Sequence, residues 1–102
     1  MSTPSTTLAE FQGLIRQRYY ATDKARGSAG TFVYLIEEVG ELATAIAANA
    51  EGKAPTDAQR ANLVEEFADV LAWLATLANI TDVDLTDAVR KYTEGHIEGV
   101  KD

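Results

Sequence analysis

Two stretches of this chain match each other position by position in chemical type. Leu35-Ile36-Glu37-Glu38-Val39-Gly40-Glu41-Leu42 aligns without gaps on Leu63-Val64-Glu65-Glu66-Phe67-Ala68-Asp69-Val70. Both read apolar, apolar, acid, acid, apolar, small, acid, apolar. The apolar positions recur at three- and four-residue spacing, the period of a helix buried along one side. The simplest fold for such a repeat is a helical hairpin with an approximate two-fold relation, which brings the matching acids toward each other.

The flanking sequence predicts two more helices. Thr7 and Glu10 form a capping-box pattern, and Leu8, Phe11, Leu14 and Ile15 follow at helical spacing, so a first helix is expected over Leu8–Tyr20. Ala21–Gly30, with Gly27, Ser28 and Gly30, reads as a flexible loop. The first repeat then falls on a helix from Thr31 to about Ala50, with Gly52 as a stop. A second capping box, Thr56 with Gln59, opens the helix of the second repeat, which runs to about Asn79. Asp82 and Asp84 are cap candidates for a last helix over Leu85–Glu94, ended by Gly95. No segment alternates as a strand. The expectation is an all-α, four-helix bundle around a central antiparallel hairpin, one domain over 1–102, with residues 1–6 and 96–102 as flexible tails.

Composition removes whole classes of function. The chain has no cysteine and a single histidine, His96, so disulfides, thiolate chemistry and a multi-histidine zinc site are excluded. Nine basic against sixteen acidic residues give a formal charge of −7, a poor match for a nucleic acid polymer. Residues 1–7 lack the charged and apolar regions of a signal peptide, and no apolar run reaches membrane-spanning length, so a cytoplasmic protein is the expectation.

The acids carry the chemistry. Glu38 and Glu41 are three residues apart, as are Glu66 and Asp69, so each pair projects from one helix face with Cβ atoms about 5–6 Å apart. If the two helices pack antiparallel at about 8–10 Å, four carboxylates can converge on one small volume. A single Glu-Glu-x-x-Glu run is most often a solvated face. Such faces usually interleave Lys or Arg, yet no basic residue occurs between Arg26 and Lys53 or between Arg60 and Arg90. Together with the repeat, this points to a hard cation held by oxygen. Magnesium suits it, with manganese as an alternative, because it typically bridges carboxylates to substrate phosphates. A di-iron bundle would need Glu-x-x-His pairs, and Thr93 stands three residues before His96.

At these residues the chain resembles a known family. Glu37-Glu38-Val39-Gly40-Glu41-Leu42 followed by Glu66-Phe67-Ala68-Asp69-Val70-Leu71 looks like the paired signature of the all-alpha nucleotide pyrophosphohydrolases, which include MazG, dimeric dUTPase and phosphoribosyl-ATP pyrophosphohydrolase. Residues from about Leu8 to Tyr92 resemble a short MazG-like protein. Val70-Leu71-Ala72-Trp73 lacks the histidine that phosphoribosyl-ATP enzymes tend to carry there. The resemblance implies magnesium-dependent hydrolysis of an NTP or dNTP, standard or not, to the monophosphate and pyrophosphate, and a role in clearing aberrant nucleotides. It implies Glu38, Glu41, Glu66 and Asp69 as metal ligands and a carboxylate base, with the choice between Glu37 and Glu38 left open. Lys91 fits the start of a phosphate-binding pattern after the last helix. Lys24 and Arg26 are further candidates for the phosphates.

Trp73, four residues after Asp69, is either a wall of a base pocket or a core or interface residue; Phe11, Gln12, Tyr19 and Tyr20 carry the same two readings. Gly40 is expected to permit close helix approach at the metal site. The hairpin helices carry more apolar surface than two short helices can cover, which predicts a homodimer or homotetramer with the nucleotide near a subunit boundary. The competing reading is a non-catalytic acidic helical module that binds a partner protein.

Overall fold

A computed structural model describes residues 5–94. Four elements follow one another: α1 (Leu8–Ala48), α2 (Asp57–Ile80), α3 (Leu85–Ala88) and α4 (Arg90–Thr93). The protein is all-helical, as its repeat predicts. Both expected capping boxes form. Thr7 and Thr56 accept from the backbone N–H of Glu10 and Gln59, whose side chains accept in return from the Thr7 and Thr56 N–H groups.

The expected loop at Ala21–Gly30 is not there. Residues 8–48 are helical throughout except at Gly27, whose φ of 84° and ψ of 169° kink the helix. Ala21, Lys24, Ala25, Arg26 and Ala29 are good helix formers, and one glycine suffices to turn the chain. The turn is stapled by Arg26, whose Nη1 donates to Asp23 Oδ1 at 3.1 Å and to Thr31 Oγ1 at 3.3 Å. Asp23 and Thr31 are both buried.

Residues 28–48 run antiparallel to α2. Asn49 donates to the Gln59 carbonyl at one end, and Tyr34 meets Trp73 further along. Residues 8–26 instead cross the far end of α2, because Gln12, Arg16 and Lys24 all bond to residues 79–83. Arg16 and Lys24 donate to the carbonyls of Asn79 and Ile80, where cations complement the helix dipole. Gln12 is fully used. Its Nε2 donates to Asn79 Oδ1 and to the Val83 carbonyl, and its Oε1 accepts from the Leu85 N–H.

Asp82 does not cap the last helix. It takes a left-handed φ of 59°, and Val83 N–H bonds back to the Ala78 carbonyl, closing the end of α2 as a glycine normally would. Asp84 is the cap, accepting from Thr86 N–H at 2.9 Å. The expected Leu85–Glu94 helix divides at Val89, where ψ of −10° admits a tighter bond from Tyr92 N–H to the Val89 carbonyl. The expected Gly95 stop, the His96 tail and most of the N-terminal tail lie outside the described residues.

The core is narrow: Ile15, Ala45, Ala75, Ala78 and Ile80 are buried. Phe32, Val33, Ile36, Val39 and Ile46 on α1 and Val64, Phe67, Leu71 and Leu74 on α2 stay exposed. The radius of gyration of 16.0 Å exceeds the roughly 13 Å expected of a compact chain this long. None of the described helices is long and apolar enough to cross a membrane.

Candidate metal centre

The hairpin brings the repeats together as their pattern requires. One carboxylate oxygen from each of Glu38, Glu66 and Asp69 lies within 4.8 Å of the other two. Glu38 comes from α1, and Glu66 and Asp69 come from one turn of α2. Glu41, one turn beyond Glu38, is close enough to act on both glutamates. The Glu38 carboxyl is pushed above the ordinary 4.5, first by loss of water, then by the charges of Glu41 and Asp69. Glu66 is raised for the same reasons in the same order.

None of the four has an ion pair with a basic side chain among the described residues. Glu38 Oε2 and Glu66 Oε2 are closed off from solvent and have no hydrogen-bond partner there. Buried acceptors left unpaired are costly and therefore rare. An all-oxygen set of mutually repelling carboxylates, with two such orphaned atoms, fits a hard divalent cation.

The remaining sequence candidates are placed as follows. Glu37 is exposed and lines an apolar groove with Ala29, Phe32, Val33 and Ile36. Lys24 is engaged at the end of α2 and Arg26 at Asp23 and Thr31. Lys91 is exposed on α4, its Nζ 5.8 Å from the Tyr92 ring. Trp73 is half-buried and stacks on Tyr34. It lines a cavity with Tyr19, Asp23 and Arg26. Gly40 fails its expectation: among the described residues nothing lies within 4 Å of the Cβ position, so α2 does not approach closely there.

Sequence reasoning missed Asp23 and Tyr34. Asp23 stands three residues before Arg26, a helical ion-pair spacing hidden by reading the segment as a loop. Tyr34 stands four residues before Glu38 as Trp73 stands four after Asp69, a mirror relation the repeat makes visible once the helices run antiparallel.

Comparison with known proteins points one way. The sequence pattern of the MazG nucleotide pyrophosphohydrolase domain matches residues 27–98. The crystal structure of iMazG from Vibrio DAT 722 is similar at 33% identity and a TM-score of 0.61, over 89% of this chain and 100% of that one. No curated protein matches the chain.

Proposed function

Since the chain belongs to the MazG nucleotide pyrophosphohydrolase family, we propose that it hydrolyses a nucleoside triphosphate, ribo or deoxy, to the monophosphate and pyrophosphate in a magnesium-dependent reaction. The convergence of Glu38, Glu66 and Asp69 within 4.8 Å carries this reading. As a family member the chain is a hydrolase, so a purely adaptor role is set aside.

Glu38, Glu41, Glu66 and Asp69 would hold the cation, which when bound offsets the charge of the substrate phosphates. Glu38 is our choice of base. It lies in the carboxylate cluster, within reach of a water that the cation would hold there, and would take the proton of that attacking water. Glu37 faces the apolar groove and is given no part in the chemistry. Lys91, the candidate cation with no hydrogen bond or ion pair among the described residues, is proposed to reach the phosphates; Lys24 and Arg26 position helices instead. Trp73 forms one wall of the base site. The exposed Phe32, Ile36, Phe67 and Leu71 support a homodimer, or a tetramer built from dimers, with all 102 residues in one domain per subunit.

The test is a panel of NTPs, dNTPs and modified nucleotides, assayed for pyrophosphate with magnesium, with manganese and with chelator. Equal yields of monophosphate and pyrophosphate, abolished by chelator, are expected. Release of orthophosphate, or no release with either metal, overturns the reading. Sedimentation of the same protein reports its assembly.

A further inference from the structure

The hydrolytic reading gives Arg26 no chemical part, yet its guanidinium bears on both helices that carry the carboxylates. Its Nη1 donates to Asp23 Oδ1 at 3.1 Å and to Thr31 Oγ1 at 3.3 Å, both on buried residues. The guanidinium carbon lies 5.4 Å from the Tyr34 ring centroid and 5.1 Å from that of Trp73, within cation–π range of each. Tyr34 belongs to α1 and Trp73 to α2. One planar cation, from the segment before the Gly27 kink, thus meets a ring from each arm of the hairpin. Arg26 also stands just before the stretch that the family pattern matches.

The two rings are the carboxylates' neighbours. Tyr34 precedes Glu38 by four residues and Trp73 follows Asp69 by four, so each ring stands about 5–6 Å, Cβ to Cβ, from an acid of the cluster. The rings stack with centroids 5.1 Å apart, one turn from where Glu38 meets Glu66 and Asp69. The acids themselves push the helices apart, since Glu38 and Glu66 both feel the charges of Glu41 and Asp69. A firm contact beside them opposes that push. An ammonium could pair with Asp23 and bond to Thr31 as well, but only a flat guanidinium adds a surface that packs on aromatic faces.

We propose that Arg26 is a positioning residue for the metal centre: by clamping Tyr34 against Trp73 it holds Glu38 at the distance from Glu66 and Asp69 that a divalent cation needs. The proposal rests on the metal-dependent hydrolase reading above. In this role Arg26 acts through the rings and touches neither substrate nor cation. A mere staple of the kink would lower the stability of the chain and leave the affinity of the folded site unchanged.

The probe is manganese ion alone, titrated into the full chain without nucleotide, with the free ion read by electron paramagnetic resonance. Circular dichroism at the same temperature checks that each variant is folded. Arg26→Ala is expected to raise the apparent Kd for manganese roughly tenfold, the lower end of what loss of a residue that orients metal ligands costs. Millimolar guanidinium chloride should recover part of that loss, whereas sodium chloride at equal ionic strength should not. Tyr34→Leu leaves the bonds to Asp23 and Thr31 in place and should weaken binding to a similar degree; it carries the test if Arg26→Ala does not fold. Tyr34→Phe keeps the ring and should bind as the parent does. Arg16→Ala cuts a different tether of residues 8–26, to the Asn79 carbonyl, and should leave manganese affinity unchanged. Parent-like affinity in folded Arg26→Ala or in Tyr34→Leu, or an equal loss in Arg16→Ala, overturns the proposal and leaves the metal reading standing. A parent that binds no manganese removes the metal reading and this proposal together.

Discussion

The Tyr34 and Trp73 rings stack with centroids 5.1 Å apart and planes 11° from parallel. Tyr34 precedes Glu38 by one turn and Trp73 follows Asp69 by one turn, so on antiparallel helices the stack closes one end of the carboxylate cluster. Arg26 adds its guanidinium 5.4 Å from the Tyr34 centroid. Tyr34→Ala is therefore expected to lower stability by about 1–2 kcal/mol, part of it from stacking beyond simple burial. The emission of Trp73 should shift to the red as water reaches the indole. Denaturant titration followed by that emission measures both, and an unshifted spectrum would contradict the contact.

Substitutions in the cluster should separate activity from stability. Glu38→Gln and Asp69→Asn are each expected to lower kcat/KM on the order of 100-fold by removing a cation ligand. Each also removes one charge from a set that repels itself, so the metal-free variant should melt at a higher temperature than the metal-free parent. Glu37→Gln, on the apolar groove, should stay within a few-fold of the parent. A variant that loses activity and metal-free stability together would show that the acids are structural.

The sequence made the cluster legible because it depends on short spacings within helices and on one repeat, and both survive any error in helix boundaries. Glu38, Glu66 and Asp69 needed only the antiparallel hairpin to meet. The caps at Thr7 and Thr56 were legible for the same reason, since a capping box is a three-residue relation. Asp23 was not, because its burial depends on where one glycine turns a long helix. Gly27 supplies that turn, while Gly30, Gly13 and Gly40 lie in regular helix, and composition does not distinguish them. Gly40 misled for a related reason: the small residues that are buried on these helices are Ala45, Ala75 and Ala78 instead.

The raised carboxyls give a pH dependence with a definite sign. Glu38 and Glu66 hold protons above the ordinary 4.5, through desolvation first and then Glu41 and Asp69. Between that value and their raised ones the folded chain binds more protons than the unfolded chain, so stability falls as pH rises. Their contribution is complete below the ordinary carboxylate value and is lost as pH passes through the raised one. Magnesium competes with those protons, so its stabilising effect should grow over the same interval. Glu10 works in the opposite sense, lowered by its bonds to Thr7. Glu66→Gln keeps that background and should flatten the decline in metal-free melting temperature. Parallel curves for parent and variant would show that Glu66 takes no part.

The two glycines make the last prediction, because one substitution should have opposite effects at them. At Gly27, φ of 84° with ψ of 169° lies in a region open almost only to glycine, and there is free space where a Cβ would stand. Gly27→Ala should thus cost about 1–3 kcal/mol through backbone strain alone. The strain is relieved only by straightening the helix, which would draw Asp23 and Arg26 away from Trp73 and change its emission. Gly40 is exposed in regular helix with equally free space, so Gly40→Ala should add about 0.5–1 kcal/mol by favouring the helix. Chemical denaturation of both variants, each compared with the parent, reads the two signs. A loss at Gly40 would mean that this face of α1 packs closely against a second subunit, and sedimentation of the variant would then show a weakened assembly.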